Sequence, residues 1–264
     1  MTLADTLPAA RRTRRSLPVP LLLFLASAVL YIGAALYTGQ LNQLGASGLV
    51  GLAQRMVGLG IVALGQTFVI LAGSIDLSVA NLISVSAVLA SFVMQGDPAM
   101  IAPAVLLVLV VSAAVGFVNG GVVAKLGVNP LIATLGVGLI LQGLLSASFN
   151  NFAGSVPEAF QGLAYGTIGI IPWSVLALLA LAILGALLLR STRFGAHLYA
   201  TGGNMDGARL AGIRTDRITI LAHVICSLMA GMTGLYLASR LRSGAPWVGR
   251  DGVYDLESIA VVVI

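Results

Sequence analysis

Charged side chains are scarce in this sequence. Asp, Glu, Lys and Arg make up 9% of its 264 residues, whereas an average soluble domain carries roughly 25%. A chain with so few charges cannot cover an ordinary water-soluble surface, so that class of protein is excluded. Hydrophobic residues reach 58%, and several apolar runs approach the roughly 20 residues that a helix needs to cross a bilayer. The composition therefore predicts an all-α, polytopic transmembrane helix bundle.

Cysteine and histidine are nearly absent. The single cysteine, Cys226, lies in an apolar stretch, which excludes an intrachain disulfide and predicts a buried thiol. His197 and His223 are too few and too scattered to predict a metal site. The sequence has no phosphate-binding loop, no catalytic-triad motif and no cysteine cluster. We therefore expect no catalytic residues, no cofactor and no ATP hydrolysis by this chain, which would make it a non-enzyme.

The few charges are mostly positive, with a formal net charge of +5. Lys and Arg of membrane proteins gather in cytoplasmic loops, so this excess predicts no nucleic-acid partner. Arg11, Arg12, Arg14 and Arg15 precede the first apolar run, which places a basic N-terminal segment, residues 1–16, in the cytoplasm. The start resembles a signal peptide but lacks a small-residue cleavage site, so we interpret it as an uncleaved first span in the cell inner membrane.

Seven spans are predicted within one transmembrane domain, residues 1–264. They lie at about 18–37, 49–72, 77–95, 100–124, 130–149, 172–190 and 218–239. An eighth apolar segment begins near Ile259 and stops at Ile264, too short to cross a bilayer. We therefore expect the chain to be truncated inside this eighth span. Alternation of the spans places ten of the fourteen Lys and Arg residues in the cytoplasm, although four fit less well: Arg55, Arg240, Arg242 and Arg250.

The loop at residues 191–217 is the only sizeable cytoplasmic connection in this topology. Its stretch "ATGGN" predicts a turn, after which Asn204 caps a short helix that starts near Met205. Asp206 in the first turn of that helix suits the helix dipole, and small residues give the helix a slim face. The loop is either a solvated connector or a docking helix for a soluble partner, with Arg209 projecting.

Asp76 is the one carboxylate in the middle of a long apolar region. An ionised carboxylate facing lipid is unfavourable by several kcal/mol, so Asp76 should face protein, water or the interface. One interpretation is that Asp76, with Ser74 or Ser78, caps the third span. The other is that residues 73–79 break a discontinuous helix that lines a cavity. More polar residues lie in the spans, as interhelical hydrogen-bond partners or as a path for a hydroxyl-rich solute: Gln66, Thr67, Asn81, Ser84, Ser86, Asn119, Thr134 and Gln142.

Several motifs occur together in order along residues 50–264: "GQTFVILAGSIDLSVANLISVSA", "VNPLIATLGVGLILQGL", "GAHLYATGGNMDGARLAGI" and "YDLESIAVVVI". In these motifs the sequence resembles the ribose/xylose-type sugar permeases, which are membrane subunits of bacterial ATP-binding-cassette (ABC) importers and are related to the branched-chain amino acid permeases. Ser74 and Ala80 stand where that family usually or often has glycine. Members of that family also continue for several more helices, so the resemblance implies that C-terminal helices are missing here.

The resemblance implies a role for two groups of residues. Residues 202–213 match the coupling segment that meets the ATPase subunit: Gly202, Gly203, Asn204, Asp206, Gly207, Ala208, Arg209 and Gly212. Residues 73–79 match a turn close to the transport path, so the candidates for the path or helix break are Gly73, Ser74, Asp76, Ser78, Asn81, Gln66, Asn119 and Thr134.

The function implied is import of a monosaccharide. The partners implied are an ABC ATPase subunit, a second permease subunit, an extracytoplasmic sugar-binding protein and membrane lipid. Three alternatives stay open on the sequence: an ion-coupled secondary transporter that uses Asp76, an ABC permease for another small solute such as branched-chain amino acids, and a membrane scaffold that transports nothing.

Overall fold

The computed structural model describes residues 19–264, which form twelve α-helices and one short β-ribbon. The helices are α1 (Val19–Tyr37), α2 (Ala46–Leu71), α3 (Val79–Met94), α4 (Ile101–Leu126), α5 (Pro130–Ser148), α6 (Glu158–Tyr165), α7 (Trp173–Ser191), α8 (Arg193–Gly203), α9 (Met205–Leu210), α10 (Thr215–Leu241), α11 (Val248–Asp251) and α12 (Tyr254–Val263). The ribbon pairs β1 (Thr167–Ile168) with β2 (Ile171–Pro172) in antiparallel orientation. The predicted basic segment, residues 1–16, lies outside the described residues.

Two units make up the described chain, and the division falls after Gly45. In the first unit α1 is followed by a 3₁₀ turn at Leu41–Leu44, and the Tyr31 hydroxyl donates a 2.9 Å hydrogen bond to the carbonyl of Gln43. The second unit, residues 46–263, contains α2 to α12 and all the candidate site residues.

Six helices of the described chain are long and apolar enough to cross a membrane: α1, α2, α4, α5, α7 and α10. They coincide with six of the seven predicted spans, so the prediction of a polytopic helix bundle is confirmed. The remaining span, predicted at 77–95, corresponds to α3, which has only 16 residues. At about 1.5 Å per residue it measures about 24 Å, less than the roughly 30 Å of a hydrocarbon core. Segment 254–263 forms α12, a 10-residue helix.

The long helix α10 is the centre of the second unit, because α2, α3 and α4 all pack on it. Glycines make these contacts close. A Cβ atom added at Gly116 or Gly120 of α4 would lie 2.6 Å from the backbone of α10. One added at Gly65 of α2 would lie 3.0 Å from the Cα of Cys226. Small residues allow such backbone approach in membrane helices, where packing replaces the hydrophobic driving force.

We expect Gly120→Ala to destabilise the α4–α10 contact, because the added methyl group would lie 2.6 Å from the Cα of Ile220. Overpacking of this kind lowers the free energy of unfolding by about 1–3 kcal/mol. The matched control is Gly121→Ala, since no atom lies within 4 Å of a Cβ there. Thermal unfolding of the purified protein in detergent measures the difference, and equal midpoints for the two variants would contradict the close approach.

Two connections that were predicted as loops contain regular structure. The segment between α5 and α7, expected to be a long outer loop, contains α6 and the β-ribbon, which is the one departure from an all-α fold in the described chain. The connection at 191–217 contains the predicted short helix, α9, and a further helix, α8, that was not predicted. The predicted turn at "ATGGN" is wrong, since Ala200 to Gly203 form the last turn of α8.

Candidate functional site

A break of seven residues, 72–78, separates α2 from α3. Gly73 has a φ of +77°, and the backbone N–H groups of Gly73 and Ser74 donate to the carbonyls of Ile70 and Val69 at 2.9 and 3.0 Å. This pairing is the Schellman arrangement that ends a helix at a left-handed glycine. The chain then runs through the helix bundle, with four of the seven residues buried, before α3 begins at Val79.

Asp76 lies at the centre of this break and is fully buried. Its Oδ1 atom accepts hydrogen bonds from the backbone N–H and the hydroxyl of Ser78 at 2.9 and 2.6 Å. The side-chain amide of Asn119 on α4 lies 3.2 Å from Oδ2 and donates a 2.8 Å bond to the Ser78 hydroxyl. We call Ser74, Asp76, Ser78, Asn119 and His223 the break cluster.

The interpretation that Asp76 caps α3 together with Ser74 or Ser78 holds only in part. Ser78 occupies the N-cap position, but its side chain makes no capping hydrogen bond to α3. The carboxylate instead closes a local turn onto the N–H of Ser78, which precedes the helix, and reaches across to α4. Asp76 therefore joins the helix break to its neighbours, as in the discontinuous-helix interpretation.

His223 on α10 is the member of the break cluster that the sequence interpretation missed. Its ring is 0% exposed, with Nδ1 3.3 Å from Asp76 Oδ2 and Nε2 3.0 Å from the Ser74 hydroxyl. Two histidines far apart in the sequence do not predict a metal site, so the sequence pattern assigned His223 no role. The signal that it carried was different: an ionisable side chain inside an apolar span marks a functional or paired position.

The order of Ser74, His223 and Asp76 is that of a hydrolytic triad. All three are buried, none more than 6% exposed, and together they connect the break to α10. The cluster is a polar brace between α10, α4 and the break.

Two further candidates hold the backbone of the break. Gln66 donates a 2.7 Å hydrogen bond to the carbonyl of Asp76, and Thr134 accepts a 3.0 Å bond from the N–H of Leu77. Cys226 is a free and buried thiol, as predicted, and its Sγ lies 3.7 Å from Gln66. Asn81, one turn into α3, lies apart from the cluster and lines a separate polar cavity.

The predicted coupling segment forms the end of α8 and all of α9. Asn204 is the N-cap of α9, and its Oδ1 accepts a 2.8 Å bond from the N–H of Gly207. Ala208 is only 5% exposed, so it faces this protein, whereas the small residues Gly207 and Ala211 stay exposed. Arg209 does not project freely, because it donates to Thr215 and contacts Asp216 at 3.2 Å. The most exposed side chain of α9 is Leu210, at 91%.

Gly202 joins the coupling segment to the helix break. A Cβ atom at this position would overlap the carbonyl oxygen of Leu71, the last residue of α2, and the Cα of Gly202 lies 3.6 Å from the Cβ position of Gly73. Gly203 meets nothing within 4 Å. The end of α8 therefore lies directly on the start of the break, and from there Ser74 continues the contact to His223.

Comparison with known proteins gives consistent matches. The family described as the permease component of branched-chain amino acid transport systems matches residues 48–264. The ribose import permease protein of Escherichia coli K12 is 36% identical over 210 residues, covering 77% of this chain and 64% of the relative. The L-arabinose transport system permease protein of the same strain is 34% identical over 250 residues, covering 90% and 71%.

The ribose import permease protein of Bacillus subtilis 168 is 32% identical over 210 residues, covering 78% of this chain and 64% of the relative. The matched part of the chain thus spans 64% of the length of these ribose relatives. No solved structure matches.

Proposed function

Because the chain belongs to the family of permease components of branched-chain amino acid transport systems, we propose that it is the transmembrane subunit of an ABC importer for a monosaccharide. The similar proteins named for ribose and L-arabinose support the choice of a sugar. The structural observation that carries the proposal is the contact of Gly202 with the α2–α3 break, because it gives a surface segment direct access to a helix break inside the bundle.

The energy for transport comes from a separate ATPase subunit in this proposal. That subunit docks on α9, where Leu210 and Met205 offer 91% and 39% exposed apolar side chains, in the manner of a short helix that enters a groove. Motion of α9 moves α8, and Gly202 passes this motion to the end of α2. The ion pair of Arg209 with Asp216 holds α9 against the first turn of α10, so that α9 and the start of α10 move together.

The charge distribution supports a cytoplasmic position for α8 and α9. The antiparallel contacts of α4 with α10 bring Lys125 in the last turn of α4 to the same end as Arg214 and Arg217. Arg190 and Arg193 flank the junction of α7 with α8 at this end. Positive residues gather on the cytoplasmic side of membrane proteins. On this basis we propose a cytoplasmic N-terminus and a location in the inner membrane.

The remaining partners follow from the same assignment. The chain pairs with a second permease subunit, identical or similar, and receives the solute from an extracytoplasmic binding protein. Lipid contacts the apolar outer faces, such as the exposed Leu139 and Ile140 of α5 and Ile183 and Leu184 of α7. Ion coupling through Asp76 is disfavoured, because the buried carboxylate is already surrounded by hydrogen-bond donors.

The test is uptake of radiolabelled D-ribose and L-arabinose by vesicles that contain the chain, its ATPase and its binding protein. We expect uptake that requires ATP and continues when a protonophore removes the ion gradient. Uptake that stops with the protonophore and proceeds without ATP would replace this proposal with ion coupling. No uptake of any monosaccharide or branched-chain amino acid would leave the scaffold interpretation.

Within the same assay, we expect Leu210→Asp to lower both uptake and the retention of the ATPase on the purified permease by about tenfold. The loss of an interface anchor weakens binding by about 1–2 kcal/mol. The control is Leu41→Asp, which places the same charge at a 58% exposed leucine between α1 and α2. Equal retention of the ATPase by both variants would argue against docking on α9.

A further inference from the structure

A second polar feature of the bundle lies away from the break cluster. It is a cavity of about 200 Å³ between α3, α5 and the chain that follows α10. Its lining includes six residues with polar side-chain atoms: Asn81, Gln142, Ser146, Asn150, Trp247 and Arg250. A volume of this size has room for several water molecules.

The α5 side of the cavity is a polar stripe on an apolar helix. Gln142 and Ser146 are four residues apart and therefore share a face of α5. Asn150 follows at the same spacing, just beyond the end of the helix at Ser148. The opposite face carries Ile140 and Leu144, each more than half exposed. Gln142 is half-buried, whereas Ser146 and Asn150 are exposed. The stripe therefore lies at the border between the buried face of α5, which carries Leu141 and Leu145, and the protein surface.

The opposite wall, at the level of α3, is the irregular chain at 242–247 and the short helix α11. After α10 the chain turns back along α3, with Gly244 against Val88 and Gly249 against Ala80. The N–H of Gly249 donates a 2.9 Å bond to the Ser84 hydroxyl. Eight residues of α3 correspond to about 12 Å at about 1.5 Å each. Irregular backbone at this depth is tolerated in a membrane only when it is buried in protein or lines a water-filled cavity.

The chemistry of the lining fits a neutral solute with many hydroxyl groups. The amides of Asn81, Gln142 and Asn150 each offer donors and an acceptor, and none of the hydrogen bonds among the described residues 19–264 uses these three side chains. Trp247 offers an indole face and is held by an edge contact with Phe152 at 5.3 Å between centroids. Arg250 lies 3.5 Å from the carboxylate of Asp251, and both side chains are more than half exposed.

The cavity is connected to the break cluster through Asn81. Asn81 is three residues after Ser78, and the Asn81 amide lies 3.3 Å from the Cβ position of Gly138, whose other neighbour is the Cα of Ser78 at 3.4 Å. Ser78 in turn holds Asp76. Any displacement of the break therefore moves Asn81, which gives the coupling segment a route to the cavity lining.

We propose that this cavity is a contact site for a single neutral monosaccharide during its passage, with the amides of Asn81 and Gln142 bonding its hydroxyls and Trp247 covering an apolar ring face. The proposal rests on the function proposed above and adds the residues that meet the solute. Arg250 is the one charged side chain in the lining, it lies 3.5 Å from Asp251, and no lining residue carries a carboxylate for an ammonium group.

Cysteine labelling tests the cavity without using transport as the readout. Ser146→Cys places a thiol in the lining, and the native Cys226 stays in place because it is fully buried. We expect a small charged methanethiosulfonate reagent to label this thiol in the purified assembly. Saturating D-ribose, L-arabinose or D-xylose is expected to slow that labelling at least threefold. Ser148→Cys is the control, since Ser148 lines an apolar groove on another face of the same helix and should show no protection.

Uptake kinetics give the second measurement. Gln142→Met keeps the size of the side chain and removes its hydrogen bonds, so we expect the KM for uptake to rise about five- to tenfold, as for the loss of one hydrogen bond. The matched control is Gln161→Met on α6, which removes a side-chain bond to the Val156 carbonyl far from the cavity lining and should leave KM unchanged.

The possible outcomes separate this inference from the proposed function. Wild-type uptake with no sugar protection of Ser146→Cys, or no labelling of it at all, would overturn the cavity site and leave the permease function standing. Protection only by charged sugar acids would overturn the neutral class of solute. Protection of Ser146→Cys without ATP-driven uptake by the wild type would support the site and remove the importer assignment.

Discussion

Replacing Asp76 with leucine is expected to lower the free energy of unfolding by several kcal/mol, because each buried donor left without its acceptor is unfavourable by about 1–3 kcal/mol. Asp76 is 0% exposed, and Ser78, Asn119 and His223 all direct polar atoms at its carboxylate. In the variant these atoms would stay buried without their acceptor. We expect Asp76→Leu to accumulate poorly in membranes and to unfold at a much lower temperature in detergent, as measured by immunoblot and by thermal unfolding.

Two further variants keep this prediction testable if Asp76→Leu does not fold. The exposed Asp97 accepts only a local bond from the N–H of Ala99, so Asp97→Asn should change stability by less than about 0.5 kcal/mol. A double-mutant cycle of Asp76→Asn with His223→Gln should deviate from additivity by about 1 kcal/mol or more, because the side chains are in contact. Additive losses, or an Asp76→Leu chain as stable as Asp97→Asn, would show that the cluster does not brace the break.

Replacing Gly202 with alanine is expected to reduce ATP-dependent uptake at least tenfold. The added methyl group would overlap the carbonyl oxygen of Leu71, and backbone at that position cannot move aside as a flexible side chain would. The end of α8 must therefore move away from α2, which separates the coupling segment from the break. Overpacking of a well-packed contact is unfavourable by about 1–3 kcal/mol, and about 1.4 kcal/mol corresponds to a tenfold change.

Gly203→Ala is the control for this substitution, because it adds the same methyl group one residue later, where nothing lies within 4 Å. Uptake and ATP hydrolysis should be measured in the same vesicles, with the amount of each variant in the membrane determined by immunoblot. We expect Gly203→Ala to resemble the wild type. If Gly202→Ala were present in normal amounts and transported as well as Gly203→Ala, the contact between α8 and α2 would have no part in coupling.

The sequence was sufficient for the membrane class, for six of the spans and for the family. Long apolar runs carry this information locally, because every backbone polar group in a hydrocarbon core must be bonded within its own helix. The resemblance drawn from four motifs is confirmed by the match over residues 48–264. The predicted span at 77–95 was too long because its edges include Leu77 and Ser78, which belong to the buried break. An apolar composition alone does not distinguish a buried, non-helical break from a helix that spans the membrane.

The glycines of the coupling segment show why local interpretation failed in part. Asn204 was predicted to cap a helix from Met205, and it does, because capping depends on residues three positions apart. The adjacent Gly202 and Gly203 were predicted to form a turn but continue α8. Gly202 lies there because the carbonyl of Leu71, 131 positions earlier by number, leaves no room for a Cβ atom. No pattern within the segment contains that contact.

By itself, the sequence determined which segments enter the membrane, where the basic residues fall and where short helices begin, since each depends on hydrophobicity or hydrogen bonds within a few neighbouring residues. Only the tertiary structure decided that Asp76 meets His223 and Asn119, that α8 lies on the end of α2, and that a stripe of amides on α5 faces the chain after α10. These contacts join positions far apart in the chain, and their geometry depends on how closely the helices approach one another.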